Sequence, residues 1–315
     1  MQAIVRSLTV EAEDILSVEL VAREGEALPP FTAGAHIDLY LAEGLSRSYS
    51  LVNPQQDRER YVVAVNKDPA SRGGSRHVHE ILRPGKVIEI SEPRNNFALV
   101  EDAPHVVLVA GGIGMTPLWC MVQRLESLGR SWELHYSARS RRKCAYLRQV
   151  QSLEMEHPGR VHLHFDEEHG GAPVDLATLI ASISAEAHVY CCGPVPMLKA
   201  FEQATAARAP NTVHVEYFSA KSAPAVAGGY KLVLARSDRT FEIGPGRSIL
   251  EVLLEAGMDV PHSCTQGVCG ACETKVLAGV PDHRDAVLSP QEIAACKTMM
   301  ICCSGAKTKE LVLDL

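Results

Sequence analysis

The sequence lacks the features that mark membrane-spanning, secreted or nucleic-acid-binding proteins. No stretch approaches the roughly 18 consecutive apolar residues that a membrane span requires, and charged residues interrupt the amino-terminal segment too often for a signal peptide. Positive charge is scarce: 31 Lys and Arg stand against 38 Asp and Glu, and the net charge is −7. No basic run offers a site for nucleic acid or an anionic membrane. We therefore expect a cytoplasmic protein with neither kind of partner.

Low-complexity tracts and internal repeats are also absent, which excludes disordered, fibrous and repeat proteins. Hydrophobic residues make up 46% and charged residues 22% of the chain, and these proportions are ordinary for globular proteins. The length of 315 residues suits two or three domains.

Three compositional zones divide the chain. Residues 1–102 form short β-runs between glycines and prolines, with a single short helix expected over 77–82; this pattern is typical of an antiparallel barrel or sandwich. Residues 103–221 alternate strands and helices, which indicates a doubly wound parallel sheet. Residues 222–229 are small and rich in Pro and Gly, as in a linker. Residues 230–315 combine a hairpin, a helix and clustered cysteines.

Clustered cysteines in a cytoplasmic chain favour metal ligands over disulfides. Cys264, Cys269 and Cys272 have the C-x4-C-x2-C spacing of plant-type [2Fe–2S] ferredoxins, and a fourth ligand follows at Cys302 or Cys303. The intervening glycines let the loop wrap a cluster and aim N–H groups at its sulfurs. A four-cysteine zinc site is the alternative. It is disfavoured because zinc ribbons use two C-x2-C pairs and this sequence has one.

A glycine turn in the second zone is a candidate nucleotide site. The segment VLVAGGIGMTPL at 107–118 joins a buried strand to a helix, so free N–H groups at the turn could bind phosphate. The G-x-G-x-x-G pattern is absent. A second turn, VYCCGPVPM, ends a later strand, and ligands of parallel sheets bind at the carboxyl ends of strands. The alternative is a turn that serves packing alone.

The first zone contains a candidate ligand-binding motif, RSYSLVN. Arg47 can pair with a phosphate, while Tyr49 and Ser50 offer an aromatic face and a hydroxyl to a planar ring. The later segment SRGGSRH supplies a glycine turn with Ser75, which is a second possible phosphate cradle. A plain strand with its tyrosine in the core is the alternative.

Histidine gives no comparable signal. The sequence has no Cys-x-His pair, which argues against a Rieske centre. It shows no obvious set of two histidines and one carboxylate either, so we do not expect this chain to activate dioxygen itself. His162 and His164 alternate along a predicted strand and are interpreted as ordinary strand residues.

Together these motifs resemble the phthalate dioxygenase reductase family, which includes the vanillate demethylase and phenoxybenzoate dioxygenase reductases. The resemblance covers essentially the whole chain in the family's domain order. It implies an FMN-binding antiparallel β-barrel over 1–102, a doubly wound parallel α/β NAD(P)-binding domain over 103–221, a linker over 222–229, and a plant-type [2Fe–2S] ferredoxin domain of β-grasp fold over 230–315.

The resemblance also implies roles for individual residues. In the barrel, the flavin motif and the phosphate turn are matched by Arg47, Tyr49, Ser50, Arg72, Gly73, Gly74 and Ser75. In the second domain, the nicotinamide and C-G-P motifs are matched by Gly111, Gly112, Gly114, Thr116, Pro117, Cys192, Gly193 and Pro194. The resemblance assigns Arg47 to the flavin phosphate, selects Cys302 over Cys303 as the fourth cluster ligand, and points to Phe218 in the E-Y-F segment as the aromatic cover of the flavin ring.

The implied function is a reductase that passes electrons from NADH through FMN and a [2Fe–2S] cluster to a separate Rieske-type oxygenase for aromatic hydroxylation or O-demethylation. Thr116 and Cys192 would orient the nicotinamide, and Phe218 would yield its place to NADH. The basic segment 140–143 departs from the acidic residue that would favour NADH, so NADPH stays open. We expect a monomer that meets its oxygenase transiently. Alternatives are a reductase for a cytochrome P450 and a zinc-containing nucleotide sensor without turnover.

Overall fold

The structure is a computed structural model that describes residues 1–23, 27–42 and 44–315. The chain forms two compact units, Met1–Glu216 and Tyr217–Leu315. Within the described ranges, no helix has the length and apolar character needed to cross a membrane. The finer limits of the barrel, nucleotide domain, linker and ferredoxin domain stay predictions.

The first sheet of the first unit is antiparallel. Its elements are β1 (Gln2–Ala12), β2 (Ile15–Ala22), β3 (His36–Ala42), β4 (Leu45–Ser50), β5 (Arg60–Asn66), α1 (Gly74–Glu80) and β6 (Val87–Ile90). The strand order is β4-β3-β6-β1-β2-β5. A bridge between Leu51 and Val63 joins the two ends of this order, and the Val52 N–H donates to the Val62 carbonyl at 2.8 Å. The sheet therefore closes into the expected barrel.

The second sheet of this unit is parallel, as expected from the strand–helix alternation. Its elements are β7 (Val106–Gly111), α2 (Met115–Ser127), β8 (Trp132–Ala138), α3 (Leu147–Glu156), β9 (Val161–Phe165), α4 (Leu176–Ser182), β10 (His188–Cys192), α5 (Val195–Ala204) and β11 (Val213–Glu216). The strand order is β11-β10-β7-β8-β9. From the neighbouring strands β7 and β10, the sequence order runs outward in opposite directions. Every residue of β7 is buried, because helices cover both faces of a central parallel strand. Ligands of such sheets bind outside the carboxyl ends at this reversal.

The second unit contains a small mixed sheet. Its elements are β12 (Tyr230–Leu234), β13 (Arg239–Ile243), α6 (Ile249–Glu255), β14 (Glu273–Ala278), β15 (Pro281–Asp282), α7 (Pro290–Ala295), β16 (Thr298–Met300), β17 (Gly305–Ala306) and β18 (Glu310–Leu313). The first and last strands, β12 and β18, pair in parallel. A capping box of Ser248 and Glu251 starts α6, whose Ile249, Leu250 and Leu253 are buried in the unit's core. This is the expected ferredoxin-type arrangement.

Candidate functional site

The flavin motif and the glycine turn of the barrel lie together. The Arg47 guanidinium donates through Nη2 to the Arg72 carbonyl at 2.8 Å, and its stem crosses Gly74, where a Cβ would lie 2.4 Å from Arg47 Cγ. Gly73 has φ +100°, a conformation that favours glycine. The turn is thus a backbone cradle with a fixed cation beside it, which suits the phosphate of a mononucleotide.

The remaining barrel residues of the motif add neutral polar groups. Burial raises the pKa of Tyr49 to about 12, against the opposing charge of Arg47, so its phenol is neutral at physiological pH. Ser50 is buried. The Ser75 hydroxyl accepts from the Asp68 N–H at 3.1 Å and lies 3.0 Å from the Ser71 hydroxyl, which holds the turn together. These residues fit a flavin mononucleotide with its phosphate at Arg47.

The two glycine turns of the parallel sheet touch at its carboxyl edge. Cys192 at the end of β10 pairs with Ala110 on β7. A Cβ on Gly114 would lie 2.2 Å from the Cys192 carbonyl oxygen, and one on Gly111 would lie 2.4 Å from Met197 Sδ. Glycine is therefore needed at position 114, where the neighbour is backbone, while at position 111 the Pro194 ring Cδ, 2.7 Å from such a Cβ, adds to the crowding.

The other residues of the nicotinamide motifs line the same edge. Thr116 is buried and donates to the Ile113 carbonyl at 3.0 Å. Pro117 occupies the first turn of α2, where a missing N–H removes no helical bond. Gly112 has φ +53°, and Pro194, after Gly193, precedes α5 as its N-cap. The structure thus brings all eight sequence-predicted residues of these two motifs to one edge.

Glu216 is a site residue that the sequence analysis passed over. It neighbours Cys192 in the register of β11 and β10, and Cys192 Sγ lies 4.0 Å from Glu216 Oε2. Burial raises the pKa of Glu216 to about 8. It also raises the pKa of Cys192 well above its usual range, and the Glu216 charge adds to that shift. The pairing of β10 with β11 brings Cys192 and Glu216 together, and the sequence alone does not reveal that register. Phe218 belongs to the second unit and is 41% exposed.

The basic segment after β8 is already paired with carboxylates. Arg141 makes a two-point ion pair with Glu168 at 2.6 and 3.0 Å, and its guanidinium lies 4.5 Å above the Phe165 ring. Further along the segment, Arg142 Nη2 is 3.2 Å from a Glu13 oxygen and Lys143 Nζ is 3.2 Å from an Asp14 oxygen. These carboxylates neutralise the positive charge that the 2′-phosphate of NADPH would need.

The four predicted cluster ligands converge in the second unit. Thiol hydrogen bonds join Cys264 to Cys269 and Cys302, and Cys272 to Cys302. They lower the pKa of Cys264 and Cys272 and raise that of Cys269 and Cys302. The N–H groups of residues 266 and 268 point at Cys264 Sγ from 3.3 and 3.5 Å. Four buried sulfurs with N–H donors fit a [2Fe–2S] cluster.

The loop conformation separates Cys303 from this set. Gly267 has φ +69°, and a Cβ there would lie 2.4 Å from Cys303 Sγ. The Cys303 thiol donates to the Met300 carbonyl at 3.8 Å, so it packs behind the loop. Cys296 lies outside the four-cysteine set as well and donates to the Ile293 carbonyl at 3.3 Å. The geometry favours Cys302 as the fourth ligand.

The sequence showed no obvious set of two histidines and one carboxylate, but the structure contains one. In the described part of the chain, Glu133, His135 and His162 place their ligand atoms within 4.8 Å of one another. They form a set of two histidines and one carboxylate. Parallel pairing puts His135 directly beside His162, although the two are far apart in sequence.

Comparison with known proteins gives matches over the whole chain. Residues 108–203 match the model of an oxidoreductase NAD-binding domain, and residues 232–307 match that of a 2Fe-2S iron-sulfur cluster binding domain. Phenoxybenzoate dioxygenase subunit beta of Ectopseudomonas oleovorans is 56% identical over 99% of this chain and 96% of its own. Tetrachlorobenzoquinone reductase of Sphingobium chlorophenolicum is 51% identical over 99% and 97%.

Two solved structures extend the comparison. Phthalate dioxygenase reductase is 39% identical and has a TM-score of 0.74, with coverage of 100% of this chain and 98% of its own. An intact type IV self-sufficient cytochrome P450 monooxygenase is also 39% identical, with a TM-score of 0.90; this chain covers 41% of its length.

Proposed function

Because the chain belongs to the phthalate dioxygenase reductase family, we propose that it carries electrons from NADH to a separate Rieske-type oxygenase. It is an oxidoreductase with an NAD-binding domain and a [2Fe–2S] domain, in a family of FMN-containing reductase components of oxygenase systems. One observation carries the proposal: a single chain combines a nucleotide edge built from two glycine turns with four converging cysteine thiols.

The nicotinamide site orients its ligand with neutral groups. At pH 7 the Cys192 thiol and the Glu216 carboxyl both keep their protons, because burial raises both pKa values. They therefore offer polar contacts to a carboxamide without adding a fixed negative charge. Thr116, held by its bond to Ile113, stands at the start of the neighbouring helix. The glycine turns let the backbone approach the dinucleotide.

The barrel residues have complementary tasks. Arg47 supplies a permanent positive charge for the flavin phosphate, and the backbone of Gly73 and Gly74 completes the cradle. Tyr49 offers a neutral aromatic surface to the ring. When bound, FMN supplies the conversion between a two-electron donor and one-electron acceptors. Phe218 is proposed as the residue that covers the ring until the nicotinamide replaces it.

The second unit holds the one-electron carrier. Cys264, Cys269, Cys272 and Cys302 would bind the iron atoms, and backbone N–H groups on the sulfurs would stabilise the negative charge of the cluster. We further propose that the reductase acts as a monomer in the cytoplasm and docks transiently. Its net charge of −7 suits a partner with a basic docking patch.

A cytochrome P450 is the second candidate acceptor. The observation that favours it is the match of this chain to part of a self-sufficient P450 monooxygenase at a TM-score of 0.90. A module of this kind can therefore exist in one polypeptide with a haem domain. We propose a quinone as the third candidate acceptor, because the relative from Sphingobium is named a tetrachlorobenzoquinone reductase.

An anaerobic titration of the purified protein with NADH, then NADPH, tests the proposal. We expect the flavin and iron–sulfur absorption bands both to bleach with NADH at stoichiometric amounts. Bleaching with NADPH alone would overturn the choice of donor, and a colourless protein after reconstitution with FMN, iron and sulfide would overturn the function. Aerobic assays with a Rieske oxygenase, a P450 and a benzoquinone then rank the acceptors by NADH consumed per product formed.

A further inference from the structure

A group of side chains on the parallel sheet lies outside every motif used above. We call Glu133, His135 and His162 the imidazole cluster. His135 Nε2 and His162 Nε2 each lie 2.8 Å from the same oxygen, Glu133 Oε1. Three atoms that commonly bind metals therefore converge on one point.

Strand geometry explains this convergence. Glu133 and His135 are two residues apart on β8, so their side chains leave the same face of the sheet. His135 is paired with His162 on β9, and the two rings stack with centroids 4.5 Å apart and planes 11° apart. A fourth side chain, His105, lies with its Nε2 3.9 Å from Glu133 Oε2, while the Ser131 hydroxyl, 2.8 Å from its Nδ1, orients the ring.

The imidazole cluster is separate from the nicotinamide edge. Glu133 and His162 are the second residues of their strands, whereas the glycine turns follow the carboxyl ends of theirs. The cluster is accessible from solvent, because 30% of the Glu133 side chain and 45% of that of His162 are exposed. His135 is the more buried histidine, at 15%.

The donor set has the chemistry of a transition-metal site. Neutral imidazole and carboxylate suit Zn²⁺, and two histidines with one glutamate are a known ligand combination for it. Tetrahedral Zn²⁺ with bonds of about 2.1 Å needs donors about 3.4 Å apart. The two histidine nitrogens lie 2.8 Å from the Glu133 oxygen and all three ligand atoms lie within 4.8 Å of one another, so the side chains must rotate to admit the ion.

We propose that Glu133, His135 and His162 bind one divalent transition-metal ion, represented by Zn²⁺, which links β8 to the edge strand β9. The ion completes its coordination with water or with His105. Because β9 is an edge strand in the order of the sheet, the ion would stabilise its pairing with β8. Metal binding is thus expected to stabilise the first unit without entering the electron path.

Calorimetric titration of the complete reductase with ZnCl₂ tests this proposal, with flavin and cluster loaded and no chelating buffer. We expect one Zn²⁺ per chain and a higher melting temperature in its presence. His162→Gln should weaken binding at least about tenfold, as should His135→Gln. His164→Gln is the matched control: His164 lies on the same strand and face, but its Nε2 lies 2.9 Å from the Ala172 carbonyl, and we expect unchanged affinity.

Unchanged visible spectra during the titration would show that Zn²⁺ has not displaced iron from the four cysteines. Absence of saturable binding in the wild type up to about 1 mM Zn²⁺ would overturn the proposal. Equal affinity in the wild type and in both glutamine variants would overturn it too, because the ion would then lie elsewhere.

Discussion

At the scale of single residues, Glu216 carries a pH dependence that can be measured. Its carboxyl pKa rises from an ordinary 4.5 to about 8 on folding, so the folded state holds a proton that the unfolded state releases. Below pH 4.5 both states are protonated and the group has no effect. As pH rises from 4.5 to 8 the folded state loses stability relative to the unfolded state.

Glu216→Gln keeps the shape of the side chain and removes this titration. We expect the variant to be more stable than the wild type above pH 7, by on the order of 1–3 kcal/mol after allowance for the partial exposure of the side chain. The advantage should vanish near pH 4. Melting temperatures of both proteins across this range provide the measurement. A constant difference at every pH would mean that Glu216 titrates normally.

Residue-scale features were also the hardest to predict from sequence. The cysteine spacing could predict three candidate sulfur ligands because all three lie on one short loop. Glu216 and the imidazole cluster depend instead on which strands become neighbours and in which register. His135 and His162 meet because β8 and β9 pair in parallel, and a sequence alone does not give that register.

At the scale of elements, the contact between the two glycine turns makes a second prediction. Gly114 has an ordinary φ of −61°, so alanine there carries no backbone strain. A Cβ would nevertheless lie 2.2 Å from the Cys192 carbonyl oxygen and 2.7 Å from the Gly193 nitrogen. Because these are backbone atoms, the turns must move apart rather than a side chain rotate.

Gly114→Ala should therefore raise the KM for NADH at least about tenfold and destabilise the first unit by about 1–3 kcal/mol. Gly244→Ala is the matched control, since a Cβ there meets nothing within 4 Å. Steady-state kinetics with ferricyanide and thermal unfolding would check both variants. Full NADH affinity in Gly114→Ala would show that the contact has no role in binding.

Elements with a strong hydrophobic signal were predicted well, and their ends less so. Residues 106–111 are apolar at every position, and the strand that they form, β7, is buried throughout. The short barrel helix, in contrast, was expected over 77–82 and occupies Gly74–Glu80. Glycine is a poor helix former, so its sequence signal is that of a turn. The helix nevertheless starts at Gly74, the glycine over which the Arg47 stem passes.

At the scale of the whole molecule, the chain assigns its two kinds of chemistry to different units. The nucleotide edge and the barrel motif lie in Met1–Glu216, and the four cysteines lie in Tyr217–Leu315. Loss of the cluster should therefore leave the first unit's chemistry intact. Ferricyanide can take electrons from a flavin directly, whereas we expect one-electron delivery to cytochrome c to pass through the cluster.

Cys302→Ser tests this division. We expect cluster absorption to disappear and NADH-dependent cytochrome c reduction to fall at least about tenfold, while ferricyanide reduction stays within about twofold of wild type. Cys296→Ser is the control, because this cysteine lies outside the ligand set and bonds the Ile293 carbonyl; it should keep both activities. A parallel loss of both activities in Cys302→Ser, with FMN still bound, would mean that the first unit depends on the cluster. Persistence of the cluster in that variant would instead move the fourth ligand to Cys303.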